Sequence, residues 1–339
     1  MAAPITAGLM AFGMSGRVFH APFLATNPDF KLKAVVERSK KNAYEFYPDI
    51  ISYNSVDELL ADNEIELVVV NTASHTHYDL AKQALNAGKH VLLEKPAAAT
   101  SAEVKELFDL AHQKNLKLMV YQNRRWDSGF LSVKEIIESG RLGDLIEVHF
   151  RFDRYKPVIG PKAFKETAGV PASGTAYDLG PHLIDNAIAL FGNPISYHKT
   201  LGSYREGSQV PDYFHLHMMY PNQLNVFLTA GLLIGEALPA FVIHGKLGSF
   251  IKERTDVQED QLIDGMLPTD TAYGVEPADK EGKLVTFDAD TKKIIELIHS
   301  KKGDYRELFK AVYHTLREGA LYPITEEHIT WQIKMLEDK

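Results

Sequence analysis

The chain of 339 residues contains no cysteine. That absence excludes disulfides, thiolate metal sites and cysteine nucleophiles, and it suits a reducing cytoplasm, the expected location. Long hydrophobic runs are also missing. No stretch reaches the ~18 consecutive apolar residues read as a membrane span, so no membrane partner is expected. Clusters of basic residues are absent too. The chain has 37 Lys and Arg against 45 Asp and Glu, a net charge of −8, which argues against a nucleic-acid partner. There is no internal repeat and no low-complexity tract. The apolar opening MAAPITAGLMAFGMSG lacks the basic residues of a secretory leader, and its glycine spacing has another explanation.

What remains is ordinary globular material, 45% hydrophobic and 24% charged. The length suits two domains, since a single core stops growing near ~250–300 residues. In the first third, short apolar strands alternate with helices. Ile5–Met10, Lys31–Glu37, Glu66–Asn71, Lys89–Leu93 and Leu116–Tyr121 read as strands, the third a continuous apolar run suited to burial on both faces. Ser55 with Glu58, and Thr100 with Glu103, form capping boxes that open helices, and Gly88 closes the helix Thr76–Ala87. Such alternation means a parallel sheet covered on both faces. Pro22 falls inside the first helix and is expected to break or kink it.

After Asn123 the pattern changes. Leu145–Asp153 alternates, with Ile146, Val148, Phe150 and Phe152 on one face and Glu147, His149, Arg151 and Asp153 on the other, as in a half-buried antiparallel strand. Further strands are expected near 197–203, 213–220, 223–231, 239–244 and 247–252, with Pro221-Asn222 as a hairpin turn. Helices near 304–318 and 325–337 close the chain. The expected architecture is α/β: a domain over residues 1–123 on a parallel sheet, then an α+β domain over 124–339 on a large, mainly antiparallel open sheet. An open sheet with one exposed face is a ready oligomer interface, so a homodimer or homotetramer is expected.

Three constellations carry chemistry. Ala11-Phe12-Gly13-Met14-Ser15-Gly16 follows the first strand and fits the G-x-G-x-x-G fingerprint of a dinucleotide-binding Rossmann fold, with alanine in first place. Gly13 lets the backbone approach a pyrophosphate, Gly16 allows close helix–strand packing, and the helix N-terminus supplies N–H donors. Glu37 ends the second strand, where a carboxylate holds ribose hydroxyls and repels a 2′-phosphate, which favours NAD. Arg38 and Ser39 follow at once and are residue types that bind that phosphate, which favours NADP.

The second constellation is a strand that ends in Glu94-Lys95-Pro96. It puts Lys95 at the C-terminal edge of a parallel sheet, where ligands bind, and Pro96 forces extended or turn geometry there. A lysine so placed can donate to a substrate oxygen. From spacing alone, a surface lysine at a strand end is the stronger reading. The third is Tyr177-Asp178-Leu179-Gly180-Pro181-His182, continuing to Asp185. Asp178 and His182 share a helix face and together can orient a hydroxyl and accept its proton. The same spacing could hold a metal, but no third ligand stands nearby, and no metal is expected. Pro181 suits only a first helical turn.

The remaining candidates have plainer readings. His75 and His77 sit where a strand becomes a helix, and His215 and His217 share one strand face; two histidines do not make a zinc site. Trp126 and Phe130 read as packing near the domain boundary, and Glu259–Asp264 as a solvated loop or helix face.

The Gly-rich turn with Arg17-Val18-Phe19-His20-Ala21-Pro22, the segment Asn71-Thr72 to His75-Thr76-His77, AGKHVLLEKP, Asn123-Arg124-Arg125-Trp126-Asp127 and Tyr177–Asp185 together resemble the Gfo/Idh/MocA oxidoreductases. Ile243-His244-Gly245 and Asp256–Asp260 extend the likeness along essentially the whole chain, which looks closest to the branch containing NADP-dependent scyllo-inositol dehydrogenases. The resemblance implies hydride transfer between a nicotinamide cofactor and a secondary alcohol of an inositol-like polyol or sugar. It implies that Lys95 bonds the nicotinamide ribose region and the reacting hydroxyl, that His182 is the general base, and that Asp178 positions the substrate. Ala11 to Gly16, Glu37, Arg38, Asn71, Thr72, His77, Glu94 and Asn123 would line the cofactor, and Arg124 and Tyr155 would join Lys95, Asp178 and His182 on the substrate. Glu37 stands where NADP users of this branch carry a serine- or threonine-like residue, so NAD and NADP both remain open. A non-catalytic dinucleotide- or sugar-sensing regulator on the same fold is the alternative, and a hydrolase or lyase using the dinucleotide as a transient redox relay is a third.

Overall fold

The computed structural model describes residues 3–160 and 163–338. Two compact units divide the chain. One comprises the residues up to Gln122 together with Glu259–Tyr273 and Tyr305–Ile333; the other comprises Asn123–Gln258, Gly274–Asp304 and the residues from Lys334 on. A single cut at 123/124 therefore does not describe the packing, because two later segments belong with the first unit. The reason is in the side chains of Tyr305–Ile333. Leu308, Phe309 and Val312 are fully buried, and the Phe309 ring stacks on Phe23 at 5.0 Å with 7° between planes. Arg317 pairs with Glu66 at 2.9 Å, and the buried Gln332 accepts from Gln122 at 2.9 Å.

In the first unit, β1 (Ile5–Leu9), β2 (Phe30–Val36), β3 (Ile51–Tyr53), β4 (Leu67–Val70), β5 (His90–Leu93) and β6 (Leu118–Val120) form one parallel sheet ordered β3-β2-β1-β4-β5-β6. Every residue of β4 is buried, as its unbroken apolar run requires. The three-residue β3 was not foreseen, since Ile51 is exposed and the segment has no apolar run. The strand order reverses at β1 and β4, the switch point at which open α/β sheets bind ligands.

The helices follow their caps. In α2 (Val56–Ala61) the Ser55 hydroxyl accepts from the Glu58 N–H, while the Glu58 carboxylate takes the N–H of Asn54 instead of completing the reciprocal bond to Ser55. The helix α3 spans His77–Asn86, and α4 (Ser101–Gln113) has the full Thr100–Glu103 capping box. The segment after the Gly-rich turn departs from expectation. Ser15–His20 is a π-helix, and a separate short helix, α1 (Ala21–Thr26), follows it. Pro22 sits in the first turn of α1, where the N–H it lacks has no intrahelical acceptor, so it breaks nothing.

The second unit holds an eight-stranded sheet. Its strands are β7 (Leu145–Asp153), β8 (Ser196–Gly202), β9 (Tyr213–Met219), β10 (Asn225–Gly231), β11 (Phe241–Gly245), β12 (Gly248–Lys252), β13 (Gly282–Phe287) and β14 (Lys293–Ile298), ordered β14-β13-β12-β11-β7-β10-β9-β8. The sheet is antiparallel except at β7, which runs antiparallel to β11 and parallel to β10, correcting a wholly antiparallel reading of that strand. Val148, Phe150 and Phe152 of β7 are buried, but Ile146 is half exposed, so the apolar face begins one pair later than the alternation implied. The last two strands were not foreseen; β14 reads KIIELI, apolar yet almost wholly exposed.

The helices α5 (Ser128–Glu138) and α6 (Ala163–Glu166) precede α7 (Gly174–Phe191), with α8 (Gln258–Ile263), α9 (Arg306–Arg317) and α10 (Glu326–Glu337) further on. Pro181 lies well inside α7, not in a first turn. An interior proline costs about 3 kcal/mol. Leu179, Leu183, Ile184 and Ile188 are all buried on this helix, and each apolar burial gives roughly 1.5–3 kcal/mol, which outweighs that loss. Among the described residues no helix is long and apolar enough to cross a membrane.

Replacing Phe309 with alanine removes the ring that ties α9 into the first unit. The expected cost is about 3–5 kcal/mol in a denaturant titration. A loss below about 1 kcal/mol would show that the segment is bound by its polar contacts instead.

Candidate active site

In the first unit the site begins with a clamp on the Gly-rich turn. Asn71, just past β4, accepts from the Ala11 N–H at 3.0 Å and donates to the Ala11 carbonyl at 2.9 Å. A Cβ on Gly16 would lie 2.2 Å from that same carbonyl oxygen and 2.9 Å from the Asn71 amide nitrogen, so only glycine permits the approach. A Cβ on Gly13 would meet nothing within 4 Å, and Gly13 and Met14 are exposed. The half-buried Phe12 ring lies 6.1 Å from Phe46 and 6.2 Å from Tyr47.

Glu94, just past β5, supports the turn from below. It accepts from the Ser15 hydroxyl at 2.8 Å, meets the His20 ring at 2.9 Å, and takes the Lys95 N–H at 3.2 Å. Burial pushes this carboxyl up, but the hydrogen bond from His20, the His20 and Lys95 charges and the Ser15 hydroxyl outweigh burial and hold it down at about 2. His20 is fully buried and 4.4 Å from the Tyr121 ring. Its motif position was noted in the sequence, but the pairing with Glu94, far away in the chain, had no local signal.

Lys95 is half-buried, joined to Pro96 by a cis peptide bond. His77, expected to line the cofactor, is instead spent on the backbone: its ring nitrogens face the carbonyls of Pro96 at 2.7 Å and Thr72 at 3.2 Å. Burial lowers its pKa, with the two carbonyls opposing, and the ring fixes the loop that bears Lys95. Thr72 bonds the Thr76 hydroxyl at 2.7 Å. Glu37 departs most from expectation. Its carboxylate accepts from the Asn42 N–H at 2.8 Å, the Ala43 N–H at 3.2 Å and the Ser52 hydroxyl at 2.7 Å, and it is buried. It caps the short 3-10 helix Ala43–Glu45, so its oxygens are engaged within the protein, while Arg38 and Ser39 stand exposed.

In the second unit, the two sequence motifs lock together. Arg125, in the 3-10 turn Asn123–Trp126, holds Asp185 on α7 through two hydrogen bonds of 2.8 Å. Asn123 is buried, and Arg124 donates to Asp127 at 3.2 Å. Asp178 and His182 lie one turn apart on α7; Asp178 is half exposed and His182 is 7% exposed. Asp178 accepts a hydrogen bond from Lys165 on α6 at 2.5 Å, a partner the sequence reading missed because nothing in AFKE marks it. Tyr155, expected on the substrate, has a 64% exposed side chain and a backbone bridge to Leu233. The other histidine pair is structural: His215 bonds Thr229 and His217 bonds Asn225. Among the described residues no group of three or more His, Asp or Glu could hold a metal ion.

A clamped Gly-rich turn at the switch point of a parallel sheet defines a dinucleotide-binding unit of the Rossmann class. The comparisons make the identification narrower. Residues 5–122 match the oxidoreductase family with an NAD-binding Rossmann fold, Gfo/Idh/MocA, and residues 130–251 match the Gfo/Idh/MocA C-terminal domain. An uncharacterized oxidoreductase of Schizosaccharomyces pombe is 39% identical over 98% of this chain and 96% of its own length. The NADP-dependent scyllo-inositol 2-dehydrogenase IolW of Bacillus subtilis is 36% identical over 98% and 92%. Among solved structures, an oxidoreductase from Bacteroides fragilis is 42% identical with a TM-score of 0.89 over 98% of this chain and 96% of that one. The oxidoreductase yvaA of Bacillus subtilis is 35% identical with a TM-score of 0.92 over 98% and 94%. The chain belongs to the Gfo/Idh/MocA family of oxidoreductases.

Two outcomes follow from this geometry. Gly16→Ala should destabilise the protein measurably in thermal melts, whereas Gly13→Ala should keep the melting temperature and weaken dinucleotide binding at least tenfold by fluorescence titration. Equal effects of the two would overturn the assignment of packing to Gly16 and ligand approach to Gly13. Because the Glu94 carboxyl is held below its ordinary 4.5, its stabilisation is complete above that value and is lost as pH falls toward about 2. The stability of Glu94→Gln should therefore fall less steeply than wild type between pH 5 and pH 2.5; parallel slopes would count against the pairing.

Proposed function

We propose that the protein catalyses reversible oxidation of a secondary alcohol on a cyclic polyol or sugar, with NADP as the preferred dinucleotide. The residues fit such a cofactor: the turn leaves open space over Gly13, and Asn71 and Glu94 hold it rigid. Ala11 to Gly16 would cradle the pyrophosphate. The preference for NADP rests on Glu37, whose carboxylate is engaged by Asn42, Ala43 and Ser52, which leaves Arg38 as the exposed group suited to a 2′-phosphate. A bound nicotinamide supplies the hydride acceptor.

The observation that carries the catalytic reading is the Asp178–His182 pair on one face of α7, in a family of oxidoreductases, together with Lys95 just past the C-terminal end of β5. Lys95 donates to the reacting hydroxyl oxygen and stabilises the negative charge that grows there. His182 takes the hydroxyl proton as the carbon gives up hydride, and returns it in the reverse direction. Asp178 orients the substrate by accepting from a hydroxyl. Asn123 and Arg124, in the turn locked to α7 through Arg125, flank the same chemistry. The half-exposed face of the eight-stranded sheet, where Phe227 stacks with His149 and His217 at 4.9 and 4.5 Å, supports assembly into a homodimer or homotetramer.

Purified protein titrated with NAD and NADP, then assayed on inositols and aldoses, tests the reading. NADP should bind more tightly, and Arg38→Ser should weaken NADP about tenfold without weakening NAD. Lys95→Ala and His182→Ala should each lower kcat about 10²–10⁴-fold while the fold persists, and His182→Ala should keep its NADP affinity. Cofactor binding with no oxidation of any polyol or sugar, and no reduction of the matching ketones, would sink the proposal and point to a sensor.

A further inference from the structure

A helix of four residues has no stability of its own, yet α6 is fastened by buried charge. Glu166 accepts from the Arg205 guanidinium through two hydrogen bonds, at 2.6 and 3.4 Å. Arg205 also donates to Asp212 at 3.3 Å, and the two side chains are 2% and 1% exposed. Asp212 takes the N–H groups of Tyr204 and Arg205 as well, at 2.9 and 2.8 Å. Burial opposes the Arg205 charge, but the hydrogen bonds and charges of Glu166 and Asp212 outweigh it and raise its pKa.

The loop that carries this anchor holds two elements at once. The Ala168 N–H, just past α6, donates to Gln209 at 3.3 Å, and the Thr175 N–H, in the first turn of α7, donates to the Pro211 carbonyl at 2.9 Å. Together these bonds fix the spacing between Lys165, next to Glu166, and Asp178, one turn into α7. Lys165 donates to Asp178 at 2.5 Å, beside the helix face that Asp178 shares with His182. The paired side chains are 35% and 31% exposed, and an ion pair that faces solvent adds little stability. Stability alone therefore gives no reason for a buried anchor beneath it.

Recognition does. An ammonium has three donors and no acceptor, and an ionised carboxylate only accepts. The bond to Asp178 uses one of the Lys165 donors. Side by side at a solvent-facing position, the two groups offer a donor and an acceptor at hydrogen-bond spacing. Neighbouring hydroxyls on a ring present the complement: one donates to Asp178, and the oxygen of the next accepts from Lys165. We propose that Lys165 is a substrate-binding residue that reads, together with Asp178, two adjacent hydroxyls of the substrate. The anchor through Glu166, Arg205 and Asp212 holds it at that station. This inference rests on the alcohol-oxidising reading for its choice of ligand.

The test uses the full chain with NADP, the best inositol or aldose of the panel, and the analogues of that compound that each lack one hydroxyl. Calorimetric titration of the NADP complex reads binding, and initial rates read kcat and KM. Lys165→Met should weaken binding and raise KM at least tenfold, with kcat within about threefold of wild type and NADP affinity unchanged. Lys165→Arg should keep most of the affinity. Loss of the hydroxyl that Lys165 reads should weaken binding at least tenfold in wild type and less than about twofold in Lys165→Met, whose donor is already gone. Glu166→Gln should raise KM in the same direction and add nothing when combined with Lys165→Met. An unchanged KM in Lys165→Met, or equal losses for every analogue in variant and wild type, overturns the role of Lys165 and leaves the oxidation standing. Binding that depends on Lys165 with no turnover of anything sinks the oxidation and leaves the role of Lys165. Neither binding nor turnover of any polyol or sugar overturns both.

Discussion

Two hydrogen bonds between Asn71 and the backbone of Ala11 fix the shape on which the rest of the first unit's chemistry depends. They join the residue past β4 to the turn past β1, the two strands at which the order of the sheet reverses. Gly16 makes the close approach sterically possible, and Glu94 completes the support through Ser15 and His20. A flexible loop is thereby tied to two strand ends that are themselves buried. Binding then costs little ordering of the loop, because folding has already restricted it.

The sequence was most informative where one physical requirement dictates residue type. The apolar run of β4, the Thr100 capping box and the glycine spacing of the turn each have few alternatives, and each stands in the structure where the pattern put it. It was least informative where tertiary context decides. Pro22 looked like a helix breaker because a change from π- to α-helix leaves no mark in composition. Pro181 looked confined to a first turn, but burial of the flanking leucines and isoleucines carries the helix through it. The exposed strands β3 and β14 lack the burial that gives a strand its pattern.

Glu37 and His77 share a different lesson. Both are polar residues at positions where sequence reading expects ligand contact, and both have their polar atoms on neighbouring protein groups. A carboxylate that caps a 3-10 helix and an imidazole between two carbonyls look the same in one dimension as groups aimed at a cofactor. Their effect on function passes through what they hold: the loop after β2 in one case, and the Lys95 loop in the other. The Lys165–Asp178 pair belongs with them, since its partners are brought together only by the fold of the second unit.

The return of Tyr305–Ile333 to the first unit has a consequence for biosynthesis. The nucleotide-binding sheet is translated first, yet the ring of Phe309 that covers Phe23 arrives only after the second unit's sheet has left the ribosome. Domains commonly fold in the order they emerge. Here that order is inverted in part, because the unit encoded earliest is completed only after the sheet of the second unit. During the interval the nascent chain exposes the apolar surface around Phe23 and Phe30 to solvent. The second unit, made mostly from the middle of the chain, has all eight of its described strands before that surface is covered.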